Sequence, residues 1–341
     1  MSLVDDKLQS GEPWEQSVFA FIRDWLSPLP TITLHTSGST GEPKAMVFPK
    51  SALRASAEAT LSFFHLQKGN VALLCLPAQY VAAKLMIVRC FVGQMDLVMV
   101  PPDGNPLTTL DCDIDFAAMV PLQVQRIVTD NPSTLKRIRQ LIVGGSAVND
   151  ELRNALANVS TQVWETYGMT ETLTHVAVRH INRDAEPCFI ALPRVSFSVD
   201  HRGCLVVNVP AIASLPVVTN DLVQLVSHNS FRLLGRADDV INSGGKKVHP
   251  GEIEQKLQSC IQLPFVISSM PHPLLGQQLV LVVESSAHFI YTQGLFNGLD
   301  KHLQPRRIYC VSQLPRTDSG KIIRRQVSGC LLDEYLVWNK D

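Results

Sequence analysis

The sequence predicts an α/β protein whose main sheet is doubly wound and mostly parallel, with helices on both faces. Two kinds of segment lead to this prediction. Short, continuous apolar runs, such as Val71–Leu76 and Leu97–Val100, are typical of strands buried on both faces of a parallel sheet. Segments with helical periodicity, such as Val81–Val92, alternate with these runs, and this alternation favours parallel strands joined by helices.

The other elements of a large domain follow in order. The sequence predicts helices over residues 17–26, 51–64, 81–92 and a segment that begins at Leu122. It predicts strands over residues 31–35, 71–76, 97–100, 116–120, 141–145 and 162–164. Gly144 and Gly145 end one of these strands, where a close approach of the backbone to a ligand is expected. Because ligands of such sheets bind beyond the carboxyl ends of the strands, we interpret Gly144 and Gly145 as one wall of a nucleotide-binding site, called the nucleotide wall below.

The second half of the chain changes character. From Ala191 to Phe231, short alternating strands with Gly and Pro turns predict a β-rich subdomain. After Asp239 the pattern predicts a small α+β domain, with helices at 252–259 and near 295–303, strands at 264–268 and 279–284, and a last helix. We therefore expect a large domain at 1–237 and a small one at 238–341.

Composition narrows the class of protein. A chain of 341 residues is long enough for two domains, and its net charge of −1 gives no electrostatic case for binding nucleic acid or an anionic membrane. No apolar run reaches the roughly 18 residues of a membrane-spanning helix, and the acidic N-terminus does not resemble a signal peptide. The eight scattered cysteines favour buried free thiols over zinc sites or disulfides. These features predict a cytoplasmic protein, and they do not indicate an oligomeric state.

The segment Thr36–Lys44 combines flexible backbone, hydroxyl donors and a positive charge, which together suit phosphate binding. The residues concerned are Thr36, Ser37, Gly38, Ser39, Thr40, Gly41 and Lys44. It is not a Walker A loop, since Pro43 occupies the place of the second glycine. The alternative interpretation is a surface loop rich in Ser, Gly and Pro.

Three later segments, Tyr167–Glu171, Gly235–Gly245 and Leu314–Lys321, accompany this loop. In order and spacing the four resemble the signature motifs of the adenylate-forming acyl-CoA synthetases, a superfamily that includes luciferases and peptide-synthetase adenylation domains. The resemblance implies a ligase that uses ATP and Mg²⁺ to convert a carboxylic acid to an acyl-adenylate, releases pyrophosphate, and transfers the acyl group to CoA.

The resemblance also assigns roles to individual residues. It implies that the 36–44 loop binds the β and γ phosphates and that Glu171 binds the metal. It also implies that Thr170 contacts phosphate and that the ring of Tyr167 lies against the adenine. A lone carboxylate at Glu171 suits Mg²⁺, which prefers oxygen ligands; an ordinary helix-capping carboxylate is the alternative. The remaining residues of the expected nucleotide wall are Gly144, Gly145, Ser146 and Gly168.

Further roles fall on the second half of the chain. The resemblance gives the ribose hydroxyls to Asp221 and Arg236, although Asn220 stands where the family usually has glycine. It makes Asp238 the hinge about which the small domain rotates between two half-reactions. It also places Gly244 and Gly245 along the pantetheine tunnel and Lys321 at the acyl-adenylate centre. The alternatives are a turn aspartate at Asp221, a solvated turn at Asp238 and a solvated surface lysine at Lys321.

The acid-binding region departs most from the family pattern. After Leu76 and Pro77, Tyr80 is a candidate aromatic gate, while Lys84 and His175 are candidates for a second carboxylate of the acid. Each of the three is equally open to a structural or solvated role. The 76–84 segment and the early position of the phosphate loop resemble the o-succinylbenzoate–CoA ligases of menaquinone biosynthesis, and this substrate has two carboxylates.

Two groups of alternatives remain open at this point. The same chemistry can serve another acyl or aryl acid, or a carrier-protein thiol in place of CoA. A degenerate nucleotide-binding protein without catalytic activity is the other possibility, and the presence of Glu171, Asp221 and Lys321 argues against it.

Overall fold

The structure, a computed structural model, describes residues 3–35, 45–182, 188–258, 260–286, 289–316 and 322–340. The chain forms two compact units. The first comprises Met1–Ser198, Val206–Val218 and Leu225–Arg232; the second comprises Val199–Leu205, Thr219–Gln224 and Leu233–Asp341. Asp238 therefore lies within the second unit, and its role as a hinge stays a prediction.

The first unit begins with helices α1 (Leu3–Ser10) and α2 (Pro13–Leu26), then strands β1 (Thr31–His35) and β2 (Ala45–Pro49). The two strands pair antiparallel in a small sheet of their own, with His35 opposite Ala45. The strand predicted at 31–35 is thus confirmed, although it lies outside the main sheet.

Five parallel strands form the central part of the main sheet. They are β3 (Val71–Leu74), β4 (Asp96–Met99), β5 (Ile114–Met119), β6 (Ile138–Val143) and β7 (Gln162–Gly168). Their order across the sheet is β4-β3-β5-β6-β7, and each neighbouring pair is parallel. This confirms the α/β fold class, because continuous apolar runs produced the buried parallel strands that they predict.

Helices cover both faces of these strands. They are α3 (Lys50–Phe63), α4 (Val81–Gly93), α5 (Pro121–Asp130) and α6 (Asp150–Leu156). Successive residues of β3 point to opposite sides, as the period of a strand requires. Leu74 joins the apolar core that contains the buried residues of α3 and α4. Leu73 joins the second core, which contains those of α5 and α6.

Six further strands continue the sheet beyond β7, and antiparallel pairings among them make the sheet mixed. They are β8 (His175–His180), β9 (Phe189–Ala191), β10 (Ser196–Val199), β11 (Cys204–Asn208), β12 (Val217–Ser227) and β13 (Ser230–Arg236). Strand β8 pairs with β7, β9 pairs with β8, and β13 pairs with β9, each antiparallel. The β-rich stretch predicted from 191 to 231 consists of such strands.

The rest of the second unit is an α+β arrangement. Its elements are β14 (Ile241–Ser243), β15 (Lys246–Val248), α7 (Pro250–Leu257), β16 (Phe265–His272), β17 (Gly276–Glu284), β18 (Arg307–Val311), α8 (Arg324–Val327) and β19 (Leu336–Asn339). Strands β17 and β18 are parallel, and the other pairings of this sheet are antiparallel.

The helix predicted near 295–303 is wrong. The chain forms successive turns there, between Gly294, whose φ is +98°, and Gln304. Two glycines within this segment, Gly294 and Gly298, disfavour a helix by about 1 kcal/mol each relative to alanine.

The eight cysteines are free, and three of them are buried, namely Cys75, Cys90 and Cys204. Of the helices that the structure describes, none has both the length and the apolar character needed to cross a membrane.

Candidate active site

The predicted phosphate loop and the predicted catalytic lysine cannot be placed. Residues Thr36, Ser37, Gly38, Ser39, Thr40, Gly41 and Lys44, together with Lys321, lie outside the described residues. The residues that flank the loop are placed, since His35 and Ala45 are register partners on β1 and β2. His35 and Ala45, the residues on either side of the 36–44 segment, therefore lie side by side.

The predicted nucleotide wall lies at the carboxyl end of strand β6. Gly144 donates its backbone N–H to the carbonyl of Met119 on the neighbouring parallel strand, at 3.1 Å. A Cβ atom at Gly144 would collide with the hydroxyl oxygen of Thr166 on β7. Gly145 has a φ of +89°, a conformation that side chains rarely adopt. Gly144 is thus required by the Thr166 side chain and Gly145 by its backbone conformation, at the position where the sequence predicted close approach to a ligand.

Strand β7 delivers Tyr167 and Gly168 to the same edge of the sheet. The Tyr167 side chain is buried against two aromatic rings, with centroids 5.7 Å away at Phe189 and 5.1 Å away at Phe231. A Cβ atom at Gly168 would collide with the backbone carbonyl oxygen of Thr174. Gly168 is therefore needed for the chain to fold back into β8.

A short 3₁₀ turn, Thr170–Thr172, places the predicted metal ligand in solvent. Glu171 is exposed, and its carboxylate makes no hydrogen bond or ion pair with the part of the chain that the structure describes. The next residue but one, Leu173, has φ +66° and ψ −43° and forms the centre of a tight turn in which Thr174 N–H donates to Thr172 O at 2.7 Å. Such a positive-φ γ-turn is rare and strained.

The predicted ribose residues form an ion-pair network in the second unit. Arg236 donates from Nη1 to Asp221 Oδ1 at 3.3 Å and from Nη2 to Asp238 Oδ2 at 3.0 Å. Asn220, the departure from the family pattern, donates from Nδ2 to the same Asp238 oxygen at 3.3 Å. Arg202 donates to Asn220 Oδ1 at 2.9 Å. The structure thus brings together Asp221 and Arg236, which were predicted to act together, and adds Asp238, Asn220 and Arg202, which were not assigned to this group.

Gly244 and Gly245 form a two-residue hairpin loop between β14 and β15. Their φ angles are +58° and +78°, and Ser243 pairs with Lys246 across the loop. Positive φ at both central positions explains two consecutive glycines without a ligand. Their assignment to a CoA tunnel remains a prediction.

The three candidates for the acid pocket lie in different surroundings. Tyr80 precedes the first turn of α4 and is 46% exposed. Lys84 is half-buried and its Nζ lies 5.7 Å from the ring centroid of Phe21 on helix α2. His175 is buried, with Nε2 3.4 Å from Thr60 Oγ1 and Nδ1 3.3 Å from Thr174 Oγ1. No hydrogen bond joins Lys84 to His175 within the described ranges.

A buried arginine next to His175 is the main residue that the sequence analysis missed. Arg89, on helix α4, is 1% exposed, and no carboxylate among the described residues forms an ion pair with it. Its Nη2 lies 3.5 Å from Thr174 Oγ1, and its Nε has no hydrogen-bond partner. The available signal was a single arginine in the apolar run Leu85–Val92.

The electrostatics of this cluster follow from burial. Burial lowers the pKa of the Arg89 guanidinium to about 10, with a small opposing effect from Cys90, so Arg89 keeps its charge near neutral pH. Burial and the charge of Arg89 together hold the pKa of His175 well below its ordinary value, so the imidazole is neutral. The cluster therefore offers one buried positive charge and neutral hydrogen-bonding groups to an anion.

His175 also lines a pocket in the first unit. Ser56, whose hydroxyl is buried without a hydrogen-bond partner among the described residues, also lines this pocket. The remaining walls are mostly apolar and include Leu192, Val195 and Ile212. The cavity volume is about 20 Å³, which is room for about one water molecule. Apolar walls with a few polar groups are typical of small-molecule sites.

Comparison with known proteins identifies related chains. The family described as AMP-binding enzyme matches residues 25–210. A crystal structure of an acyl-CoA synthetase (AMP-forming)/AMP-acid ligase II-like protein from Dyadobacter fermentans is 34% identical, with a TM-score of 0.67, and the match covers 95% of this chain and 96% of that one.

Two further relatives have more specific names. A 2-succinylbenzoate–CoA ligase of Lactococcus lactis is 22% identical over 350 residues, which cover 96% of this chain and 77% of the relative. The structure of o-succinylbenzoate coenzyme A synthetase from Bacillus subtilis, in complex with ATP and magnesium ion, has a TM-score of 0.70 and 18% identity, covering 86% of this chain and 69% of that one. At this identity the second match is a likeness of fold.

Proposed function

The chain belongs to the AMP-binding enzyme family and is an AMP-forming acid–CoA ligase, and from this premise we propose that its acid is o-succinylbenzoate. ATP would convert one carboxylate of this acid to an acyl-adenylate with release of pyrophosphate, and CoA would then take the acyl group. The names of several relatives support the proposal. The observation that carries it is the buried guanidinium of Arg89.

A buried charge without a counter-ion is costly. Removing an ion from water costs several kcal/mol unless an opposite charge and hydrogen bonds compensate. Arg89 is 1% exposed and has only the long contact to Thr174 within the described part of the chain. A carboxylate of the substrate, other than the one that reacts, would supply the missing negative charge. An acid with two carboxylates therefore fits this site better than a monocarboxylic acid.

The neighbours of Arg89 suit the same ligand. Carboxylate oxygens accept several hydrogen bonds, and Thr174 and neutral His175 both carry groups that can donate. His175 and Ser56 line the pocket whose other walls are mostly apolar, and these walls would have to move apart to bury an aromatic ring. We propose that Arg89 and His175 hold the distal carboxylate and that the apolar walls hold the ring. Lys84, which lies against Phe21, remains a second candidate for the distal carboxylate.

The adenylation step uses the edge of the parallel sheet. In the proposal, Gly144, Gly145, Ser146 and Gly168 flank the nucleotide, Tyr167 supports the adenine and Thr170 contacts phosphate. Asp221 accepts hydrogen bonds from the ribose hydroxyls, held in orientation by Arg236 at 3.3 Å. Thr36–Lys44 and Lys321 keep the roles that the family resemblance gives them, with Lys321 near the α-phosphate.

The donor set fits a magnesium ion. Glu171 is exposed, and no group of three or more His, Cys, Asp or Glu side chains that could hold a metal occurs among the described residues. Mg²⁺ is commonly bound by one or two carboxylates together with substrate phosphates and water. Glu171 would hold the ion, which supplies positive charge to neutralise the triphosphate.

Transfer of the acyl group to CoA is proposed to require a change of domain orientation. Asp238 would be the hinge, and Gly244 and Gly245 would face the pantetheine in the second half-reaction. The bonds from Arg236 and Asn220 to Asp238 mark this position as a junction of β12, β13 and the following turn. This part of the mechanism rests on the family resemblance.

One experiment tests the proposal most directly. Pyrophosphate release is measured with ATP, Mg²⁺ and a panel of carboxylic acids, with and without CoA, and the thioester product is identified by mass spectrometry. We expect o-succinylbenzoate to give the highest kcat/KM, and its monocarboxylic analogues to be poor substrates. Glu171→Gln is the control, because it should keep the fold and lose most pyrophosphate release. Preference for a monocarboxylic acid would remove the assignment of the acid.

A further inference from the structure

A second buried ionic cluster lies beneath the predicted nucleotide wall. Glu165, on strand β7, has a side chain that is 5% exposed. Its Oε1 accepts the backbone N–H of Val148 at 3.2 Å. Its Oε2 accepts from Arg153 Nη2 at 3.1 Å and from Arg179 Nε at 2.8 Å. One carboxylate therefore receives three hydrogen bonds from three different elements.

One branch of this cluster fixes the glycine wall. Val148 follows Gly144, Gly145 and Ser146 after only one intervening residue, and it is itself buried. Arg153 lies on helix α6, which begins directly after this segment. The segment between β6 and α6 is thus tied to Glu165 at Val148 and again through Arg153. These two connections restrain the position of the glycine backbone relative to the edge of the sheet.

The other branch leads to the ring of Tyr167. The guanidinium carbon of Arg179 lies 4.7 Å from the ring centroid of Phe189, a cation–π contact. Phe189 in turn packs against Tyr167, with ring centroids 5.7 Å apart. Arg179 therefore supports the aromatic group on which Tyr167 rests, and Glu165 holds Arg179.

Stability alone is a weak reason for such a cluster. Replacing a buried ion pair or triad with well-packed apolar side chains is often neutral or stabilising. Apolar side chains cannot form the directional hydrogen bonds that orient a backbone N–H and two guanidinium groups. We propose that Glu165 is a positioning residue for the adenine nucleotide, holding the Gly144–Ser146 wall and the Tyr167 ring at a set distance. This inference rests on the proposed function, because it takes ATP as the ligand.

The test compares two carboxylates of the same sheet. Asp115, on β5, also accepts a backbone N–H, from Val71 at 2.9 Å, and a bond from an arginine, Arg139, at 3.0 Å. The variants are Glu165→Gln and, as matched control, Asp115→Asn. The dissociation constant of Mg·ATP is measured by calorimetry without acid, and KM is then measured for ATP and for the acid separately.

We expect Glu165→Gln to raise the dissociation constant and KM of ATP by about tenfold or more, since small displacements of a site have effects of this size. The KM of the acid should change by less than about twofold. Asp115→Asn should leave both constants near the wild-type values. Equal changes for ATP and acid, or equal changes in the two variants, would overturn the inference.

A second pair of variants covers the case in which Glu165→Gln does not fold. Arg179→Gln leaves Glu165 bonded to Val148 and Arg153 and removes only the branch to Phe189. Its control is Arg139→Gln, which removes the corresponding arginine beside Asp115. Weaker ATP binding by Arg179→Gln alone supports the inference, and equal binding by the pair overturns it. If the wild-type protein itself binds no ATP, the proposed function fails, and the inference fails with it.

Discussion

Arg236 holds the carboxylate of Asp221 with one terminal nitrogen, at 3.3 Å, while its other terminal nitrogen holds Asp238. If Asp221 accepts the ribose hydroxyls, Asp221→Asn should raise the KM of ATP. A hydrogen bond to a charged group contributes roughly 1.5–3 kcal/mol, which corresponds to about ten- to a hundredfold. The sharper measurement uses 2′-deoxy-ATP.

The wild type should discriminate against 2′-deoxy-ATP, and Asp221→Asn should lose most of this discrimination. Asp200→Asn is the control, since Asp200 bonds to Arg202 in the same network, whereas the arginine that bonds to Asp221 is Arg236. It should keep the wild-type preference for ATP. Undiminished discrimination in Asp221→Asn would assign the ribose to other residues.

Arg89→Met should weaken the binding of the acid without lowering the stability of the folded protein. The KM of a dicarboxylic substrate should rise by about ten- to a hundredfold, because a bond to a charged group is lost. Without ligand, the melting temperature should stay the same or rise, because a buried charge that lacks a carboxylate partner in the described chain is removed. Both quantities are measured on the same preparation.

Lys84→Met is the comparison for Arg89→Met. Lys84 is half-buried against Phe21, and burial lowers its pKa while Asp24 acts in the opposite direction. We expect only a small change in the KM of the acid for this variant. If Lys84→Met raises KM and Arg89→Met does not, the distal carboxylate belongs to Lys84.

His175 should make the stability of the protein depend on pH. Burial, and then the charge of Arg89, lower the pKa of His175 in the folded state. As the pH falls below about 6.5, the ordinary pKa of histidine, the unfolded chain takes up this proton before the folded chain does. The free energy of unfolding should therefore fall, by up to about 1.4 kcal/mol per pH unit from this group.

The measurement is urea unfolding of the wild type and of His175→Gln between pH 7.5 and pH 5. The difference in free energy of unfolding between the two proteins isolates His175 from the other nine histidines. The advantage of the wild type should shrink as the pH falls. A difference that is constant across this range would mean that His175 titrates normally.

The last prediction separates the two half-reactions. Lys321→Ala should depress adenylation by about two to three orders of magnitude, the usual effect of losing one preorganised contact to a transition state. It should leave the reaction of pre-formed acyl-adenylate with CoA almost unchanged. Asp238→Pro fixes φ at the proposed hinge and should do the reverse. Each variant is given ATP and acid, or synthetic acyl-adenylate and CoA, and the products are followed. Equal losses of both reactions in Lys321→Ala would exclude a swinging domain.

The elements that the sequence predicted best are those with a simple pattern. The runs at 71–76 and 97–100 became β3 and β4, because short continuous apolar runs favour strands of a parallel sheet, although β4 is an edge strand and only partly buried. The segment near 295–303 has helical spacing of apolar residues, but two glycines weakened the helix. The spacing of apolar residues alone does not show whether glycines will prevent the helix.

The site was harder to predict, because its decisive contacts join residues far apart in the sequence. Arg89 and Thr174 are 85 positions apart, and Arg202 and Asn220 are 18 apart. A motif shows which residue types occur, whereas burial and missing partners emerge only when the chain is folded. This is why Glu171 could be proposed from its motif, whereas Arg89 could not.

The strained turn at Leu173 links the proposed metal ligand to the apolar core. A positive φ costs a non-glycine residue on the order of 1–3 kcal/mol, and the turn persists because the Leu173 side chain is 1% exposed and packs within the first core. The position of Glu171, two residues earlier, therefore depends on how Leu173 packs in the core. Leu173→Gly would relieve the strain of this turn, but it would also remove a buried side chain from the core, which costs more stability than the strain does. If Glu171 binds the metal, the position of this ligand is set by the hydrophobic interior.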